Sequence, residues 1–460
     1  MIRLFSILSI LVSQAWAQMH LAPPNFNLGD KRAVFVDFQK AQYDIVFDTQ
    51  NQQATAKSRI EFHQPEEGYP MFDCVEDPFS VKIDGEEISQ YLISVPGEVS
   101  VMRLIQKRLT PGKHTLEVTS PITKRTKFTK KRNGWHRISS AFFIRDLKDR
   151  LLLEQYLPTN YEFDSYKMDI DVKVTGTKRW HSLFTNGKVT KISNNHYKAS
   201  YPEFYTSSAL FFHLVPINKF VRYYLTYKSI DGRDIPVTIY SRYRFYNYFA
   251  ERKARRVFHE LERDYGPYPY DQMIIYGTGI KGGMEYAGAT DTSIVALGHE
   301  LHHFYFAKGV FPANGNSGWM DEAIASWRDK GYQTHERPFY QSVNLGRHNV
   351  YTRKTDDRSY EYGRSFLAYL DFQLKDIGKS GLKDFLRGYF QKRKYTSVKT
   401  EDFKSDLEEY AQMSFAEDFF QYIYGAVGSP EDKVRDRHYH SSEMDIYHGE
   451  RTEEQLDSIL

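Results

Sequence analysis

Cysteine, charge of one sign and long apolar runs are all scarce in this 460-residue sequence. The only cysteine is Cys74, so no internal disulfide can stabilise the chain. The 62 basic and 59 acidic side chains give a formal net charge of +3, which excludes the strong positive field of a nucleic-acid-binding protein. Beyond residue 17, no apolar run reaches the roughly 20 residues of a membrane-spanning helix. We therefore expect a mature chain without a transmembrane segment or a nucleic-acid partner, held together by its hydrophobic core.

The first 17 residues have the pattern of a secretory signal peptide. Arg3 precedes a short apolar run, and Ala15, Trp16 and Ala17 form the small-x-small triplet that precedes cleavage. An uncleaved membrane anchor is the alternative interpretation, but the apolar run is shorter than a bilayer span. The sequence therefore predicts export to the periplasm or the medium, with cleavage after Ala17.

The spacing of apolar residues changes part-way along the chain. Residues 18–220 contain alternating runs such as "YDIVFD" and "MDIDVKVTG" between turn residues, which is typical of an antiparallel β-domain. From about Arg242 onward the spacing is helical, with one strand-like run, "QMIIYGTG", and we assign residues 221–428 to a second domain. Residues 429–460 are polar and predict a loosely held extension. The fold class is thus α+β and multidomain, with the β-domain first and a mainly helical domain second.

The segment "GHELHHFYF" contains two histidines at the spacing of one helical turn. On a helix that we expect to begin near Thr292, His299 and His303 project from the same face. Both imidazoles can reach one metal ion, with Glu300 beside it to hold a water molecule. Zinc is the metal that this pattern predicts. The apolar stripe of the same helix lies on another face and comprises Ile294, Leu297, Leu301 and Phe304.

A third ligand follows on the next helical segment, "GWMDEAIASW". Glu322 lies there, nineteen residues after His303. Two histidines and one carboxylate leave a fourth zinc position open, which is typical of a catalytic site. The alternative is a solvated carboxylate in the first turn of a helix, where the macrodipole favours negative charge. We expect one zinc ion per chain, held by His299, His303 and Glu322.

The complete pattern, His-Glu-x-x-His followed by eighteen residues and a Glu, resembles the zinc signature of the gluzincin aminopeptidases, the family of aminopeptidase N. Further resemblances occur in the family's order, in "EQYLPTNYEFDSYKM", "HSLFTNGKV", "GGMEYAGAT" and "SYEYGRSFLAYL". Together they cover roughly residues 30 to 430. The resemblance implies a saddle-like β-sandwich domain followed by a thermolysin-like catalytic domain, in a short form that lacks the C-terminal helical domain.

The resemblance also implies roles for residues around the metal. Glu300 would act as general base, and Tyr360 would donate a hydrogen bond to the tetrahedral intermediate. The "GGMEY" segment would bind the substrate through Gly282, Gly283, Met284 and Glu285. In that motif Glu285 would pair with the free α-ammonium of a peptide, and the two glycines would let the peptide backbone approach.

A further substrate contact would come from the β-domain, where the resemblance places Gln155 at the same amine end. Three positions depart from the family pattern: Tyr286 and Asp321 replace asparagines, and Tyr362 replaces a lysine. Tyr362 is also the rival of Tyr360 as hydrogen-bond donor. A helix would put these two tyrosines about 200° apart, so only one of them can face the metal.

These residues predict a zinc metallopeptidase that releases amino-terminal residues from peptides or proteins with free amino termini. A zinc endopeptidase or a related gluzincin is the alternative within enzymes. Outside enzymes, the alternative is a protein that binds a surface polymer through its β-domain and carries a decayed site.

Overall fold

The computed structural model describes residues 21–74, 76–96, 101–123, 126–130, 136–143, 157–160, 164–278, 282–313, 315–347, 350–351 and 355–426. The expected signal peptide, the expected polar extension at 429–460 and Gln155 lie outside these residues. Among the helices that are described, none combines the length and the apolar character needed to cross a membrane.

The first half of the described chain consists mainly of strands. In chain order the strands are β1 (Phe26–Leu28), β2 (Lys31–Val34), β3 (Asp37–Asp48), β4 (Gln53–Gln64), β5 (Tyr69–Phe72), β6 (Ser80–Ile83), β7 (Glu86–Glu87), β8 (Gln90–Ser94), β9 (Val101–Ile105), β10 (Gly112–Pro121), β11 (Thr126–Lys130), β12 (His136–Phe143), β13 (Lys167–Thr175), β14 (His181–Thr185), β15 (Lys188–Ser193), β16 (His196–Ser200), β17 (Phe211–Pro216), β18 (Val221–Lys228), β19 (Asp234–Ser241), β20 (Met273–Gly277), β21 (Gly283–Tyr286), β22 (Ala289–Thr292), β23 (Val310–Pro312) and β24 (Thr396–Val398). Buried and exposed residues alternate along β3 and β4, as expected where a sheet covers the core with one face.

The α-helices of the described residues all begin at or after Arg244. They are α1 (Arg244–Tyr265), α2 (Leu297–His302), α3 (Met320–Asp329), α4 (Tyr362–Asp376), α5 (Leu382–Arg393), α6 (Thr400–Ala411) and α7 (Ala416–Tyr422). Strands therefore dominate before this point in the chain and helices after it, as the change in apolar spacing predicts.

The amino-terminal strands form a five-stranded, an eight-stranded and a four-stranded sheet. Most neighbours are antiparallel, as predicted, but two pairs depart from the prediction of an antiparallel β-domain. Strand β13 runs parallel to β3, and β5 runs parallel to β2. Strands joined by a short hairpin must be antiparallel, as β3 and β4 are. The partners β3 and β13 are distant in the sequence, so no turn sets their direction.

A fourth sheet carries the region of the "GGMEY" segment. Its order is β18-β19-β20-β22-β21, with β20 parallel to both of its neighbours. After Arg242 the sequence predicts one strand before the histidines, which is β20, and the structure adds β21 and β22 there. These two strands form a tight antiparallel hairpin, in which Gly288 takes a positive φ of 66° that favours glycine. Strand β21 lies at the edge of the sheet.

Asn186 connects this hairpin to the strand-rich half. Its side-chain amide donates to the carbonyl oxygens of Ala209 and Ala287 at 2.7 and 2.8 Å, and its carbonyl oxygen accepts from the backbone N–H of Phe211. All the polar atoms of this buried side chain therefore have partners, and they join the β21–β22 turn at Ala287 to residues 209–211. One continuous hydrophobic core includes residues from both halves of the chain.

Candidate metal centre

Helix α2 carries His299, and His303 is the residue that caps its C-terminus, but the helix begins later than the sequence predicts. Thr292 is the last residue of β22, where it pairs with Gly277 of β20, and the helix starts at Leu297. Sheet pairing at Thr292 thus overrides the helical spacing. Leu297 and Leu301 are fully buried and fix the opposite face of the helix in the core.

Three donor atoms converge between α2 and α3. Glu322 Oε2 lies 2.9 Å from His299 Nε2 and 3.5 Å from His303 Nε2, and the three donors lie within 4.8 Å of one another. Ligands about 2.1 Å from a tetrahedral zinc ion lie about 3.4 Å apart, so this spacing fits such an ion. Two imidazole nitrogens and a carboxylate oxygen are also donor types that zinc prefers.

The other ring nitrogen of each histidine has an acceptor. His299 Nδ1 lies 2.8 Å from Asp329 Oδ2, and His303 Nδ1 lies 3.1 Å from the carbonyl oxygen of Phe306. When Nδ1–H donates to these acceptors, each ring is fixed with the lone pair of Nε2 directed toward Glu322. Both imidazoles are therefore oriented to bind the same ion.

The charges of the neighbouring carboxylates act on the ligands. Burial alone would lower the pKa of His299, but hydrogen bonds with Asp329 and Glu322 raise it to about 10. Burial likewise opposes protonation of His303, yet the charges of Glu285 and Glu322 hold its pKa above the usual range. The carboxylates thus give the site a negative potential that favours a cation.

Replacing Asp329 with alanine is expected to weaken zinc binding by about 10- to 100-fold, because His299 loses the acceptor that orients its ring. Competition with a chromophoric chelator measures the affinity. Asp376→Ala is the matched control, since Asp376 is an exposed aspartate that also ends a helix, and its loss should leave the affinity unchanged. Equal affinities of the wild type and Asp329→Ala would contradict an orienting role for Asp329.

Glu300 is buried next to the three donors. One oxygen each of Glu285 and Glu300 and one nitrogen of His303 lie within 4.8 Å of one another. Burial raises the pKa of Glu300 to about 8, with the positive charge of His303 opposing the shift and Glu285 adding to it. A carboxyl group with a pKa near neutrality can both accept and return a proton.

The structure shows a further reason for glycine at position 283. The sequence predicts that this glycine lets a peptide backbone approach, but a Cβ at Gly283 would lie 2.5 Å from Cγ of Glu300. The missing side chain therefore makes room for Glu300 itself. Gly282 has a φ of +95° and open space where a Cβ would project, so it is required by backbone conformation.

Strand β21 separates the expected substrate-binding residues onto two faces. Gly283 and Glu285 face Glu300, as the alternation of a strand requires. Met284 and Tyr286 face the other way and pack in an apolar cluster, where Tyr286 contacts Phe211 with ring centroids 5.2 Å apart. The side chain of Met284 is therefore part of the core. Gln155 lies outside the described residues.

Of the two rival tyrosines, only Tyr360 reaches the metal ligands. It ends the 3₁₀ helix Asp357–Tyr360, and its hydroxyl donates to Glu322 Oε1 at 2.5 Å. Tyr362 packs instead against Phe339 and Tyr340, with ring centroids 5.4 and 4.8 Å away. The intervening change from 3₁₀ helix to α4 keeps the two side chains apart.

Two residues at the site were missed at the sequence level, Asp329 and Lys308. Asp329 follows Glu322 by seven residues, two helical turns, so helix periodicity could have placed both on one face of α3. Lys308 is the only charged residue between His303 and Asp321, an otherwise apolar or small-residue stretch. Its Nζ lies 3.8 Å from Glu285 Oε1, and both side chains are buried.

No protein-family model matches the chain, and no curated protein matches it in sequence. Solved structures do match it. Native leukotriene A4 hydrolase from Saccharomyces cerevisiae has a TM-score of 0.63 at 14% identity, covering 85% of this chain and 68% of the yeast chain. The M1 zinc metallopeptidase from Deinococcus radiodurans has a TM-score of 0.57 at 15% identity, covering 85% and 94%. The protein has the M1 metallopeptidase fold.

A third match differs in length. Legionella pneumophila aminopeptidase A, in complex with aspartic acid, has a TM-score of 0.63 at 13% identity. The alignment covers 86% of this chain but only 50% of the Legionella chain. At these identities the likeness concerns the fold, and the chemistry of the site has to be argued from its own residues.

Proposed function

We propose that the protein is a zinc-dependent aminopeptidase that hydrolyses the first peptide bond of peptide substrates. The observation that carries this proposal is the convergence of His299, His303 and Glu322 at a spacing that fits zinc, with Glu300 beside them. The M1 fold supports the proposal, because the solved neighbours described as M1 zinc metallopeptidases share it.

The chain's own residues supply the acid–base chemistry. A zinc ion, when bound, adds Lewis acidity at the reacting carbonyl. Glu300 accepts the proton of the attacking water and passes it to the nitrogen of the leaving amine. Its buried position keeps bulk water from competing for that proton. Tyr360 donates its hydroxyl hydrogen to the negative charge that develops on the carbonyl oxygen.

Tyr360→Phe is expected to lower kcat by about 10²- to 10³-fold, because one donor to the developing negative charge is lost. The kcat is measured at saturating zinc, because the loss of the hydrogen bond to Glu322 Oε1 weakens zinc affinity even though the phenolic oxygen is not among the three donors. Tyr362→Phe is the matched control and should leave kcat unchanged, because that ring packs against Phe339 and Tyr340. A Tyr360→Phe enzyme with wild-type kcat would exclude Tyr360 from the reaction.

The amino end of the substrate is assigned to Glu285. Glu285 is a buried residue of β21, the edge strand of the sheet, and it shares its face with Gly283 next to Glu300. A peptide that pairs alongside β21 would bring its first residue toward Glu285 and its first peptide bond toward Glu300. Cleavage would then release one residue at a time.

A peptide digest followed by mass spectrometry tests the proposed function. The zinc-loaded protein should shorten peptides by one residue at a time from the amino end, and Glu300→Gln protein purified in parallel should not. Internal cuts would favour the endopeptidase. Absence of cleavage by the zinc-loaded protein would favour the binding protein with a decayed site.

Export is part of the same proposal and rests on residues 1–17. Amino-terminal sequencing of the protein from a periplasmic or culture fraction should begin at Gln18. A protein that retains Met1 in the cytoplasm would contradict it.

A further inference from the structure

Lys308 lies in the turn that follows the histidine helix. Its backbone N–H donates to the carbonyl oxygen of His303 at 3.0 Å, which closes the turn after the second histidine. Its side chain is only 1% exposed, and Nζ lies 3.8 Å from Glu285 Oε1 and 5.4 Å from the ring centroid of Phe311. An ammonium group is thus buried beside the carboxylate that we assign to the substrate's amino end.

Because both groups are buried, each charge of this ion pair is stabilised mainly by its neighbours rather than by water. A buried lysine or glutamate without an opposite charge is strongly unfavourable, whereas a close buried pair offsets most of each charge. The side chain of Glu285 is 4% exposed, so little solvent screens its contact with Lys308. Glu285 therefore already has a cation beside it before any substrate binds.

We propose that Lys308 is a specificity-determining residue that weakens the preference of this site for a free amino terminus. The proposal rests on the proposed function of Glu285. Because Lys308 offsets the charge of Glu285, a substrate ammonium adds little attraction there and is repelled by the ammonium of Lys308. Peptides whose first residue carries no positive charge, such as N-acetylated peptides, then bind and react nearly as well as free peptides.

The comparison that tests this uses one peptide in its free and N-acetylated forms. For the wild type, kcat/KM should differ by less than about tenfold between the two forms. For Lys308→Met, which removes the charge at similar side-chain length, the ratio should rise at least about tenfold in favour of the free form, because Glu285 loses the ammonium group 3.8 Å from its Oε1. Lys308→Arg keeps the charge and should keep the wild-type ratio.

A double variant separates this effect from a structural one. Glu285→Gln combined with Lys308→Met removes both charges and should remove the selectivity that Lys308→Met creates. Zinc content and the midpoint of thermal unfolding are measured for every variant. If Lys308→Met does not fold, Lys308→Gln replaces it, because an amide can hydrogen-bond Glu285 without carrying charge.

Equilibrium binding supplies a readout that does not depend on turnover. Isothermal titration of both peptide forms into Glu300→Gln protein, with and without Lys308→Met, gives the ratio of their dissociation constants. Lys308→Met should change this ratio as much as it changes the ratio of kcat/KM. An unchanged ratio in Lys308→Met, or a wild type that already rejects the acetylated peptide by about a hundredfold or more, overturns the proposal. If the wild type hydrolyses neither peptide form, the proposed function is contradicted. The ratio of the two dissociation constants then still tests the role of Lys308. If neither peptide form binds, both the proposed function and the role of Lys308 are overturned.

Discussion

Glu300→Gln protein is expected to hydrolyse peptides roughly 10²- to 10⁴-fold more slowly than the wild type while retaining its zinc. Glutamine has nearly the same shape as glutamate, so the space beside Gly283 stays filled and the three donors are untouched. Its amide cannot accept a proton from the attacking water. The loss should therefore appear in kcat, measured on a free peptide, with metal content determined on the same sample.

Glu336→Gln is the control for this substitution, because Glu336 is exposed and outside the site. It should keep both the wild-type kcat and the wild-type zinc content. Unimpaired turnover by Glu300→Gln would remove Glu300 from the mechanism. Loss of zinc from Glu300→Gln would instead assign Glu300 to metal binding.

His303→Ala is expected to abolish stoichiometric zinc binding, and hydrolysis with it. Loss of a group that merely orients a ligand costs about 10- to 100-fold in metal affinity, so loss of a direct donor should cost more. Metal analysis after dialysis measures the stoichiometry. Thermal unfolding with and without added zinc provides a second measurement, because a ligand stabilises only the protein that binds it.

His302 offers a matched control on the same helix. It is fully buried, its Nε2 lies 3.3 Å from the hydroxyl oxygen of Tyr265, and it does not belong to the donor group. His302→Gln should keep its zinc and its stabilisation by zinc. The effect of the substitution on core packing is measured separately, by the unfolding curve without added zinc. A His303→Ala protein that retains one zinc ion after dialysis would show that the ion binds elsewhere.

Local features of the chain were predictable because they depend on neighbours in the sequence. The spacing of His299 and His303 by one helical turn follows from helix geometry alone. The alternation of β3 and β4 follows from a sheet with one buried face. These features were enough to indicate a strand-rich half, a helical half and a pair of histidines that can share an ion.

Long-range features were decided only by the tertiary structure. The parallel pairing of β3 with β13, the start of α2 at Leu297 and the contact of Asp329 with His299 each join segments whose relative placement no local pattern encodes. The same holds for the pairing of Lys308 with Glu285. The sequence by itself determined which side chains are present near the histidines and how far apart they lie along a helix. The packing of the β21–β22 hairpin and of α3 against α2 decided which charges meet. The energy of a buried ion pair depends on distance and burial, and both are set only when the core forms.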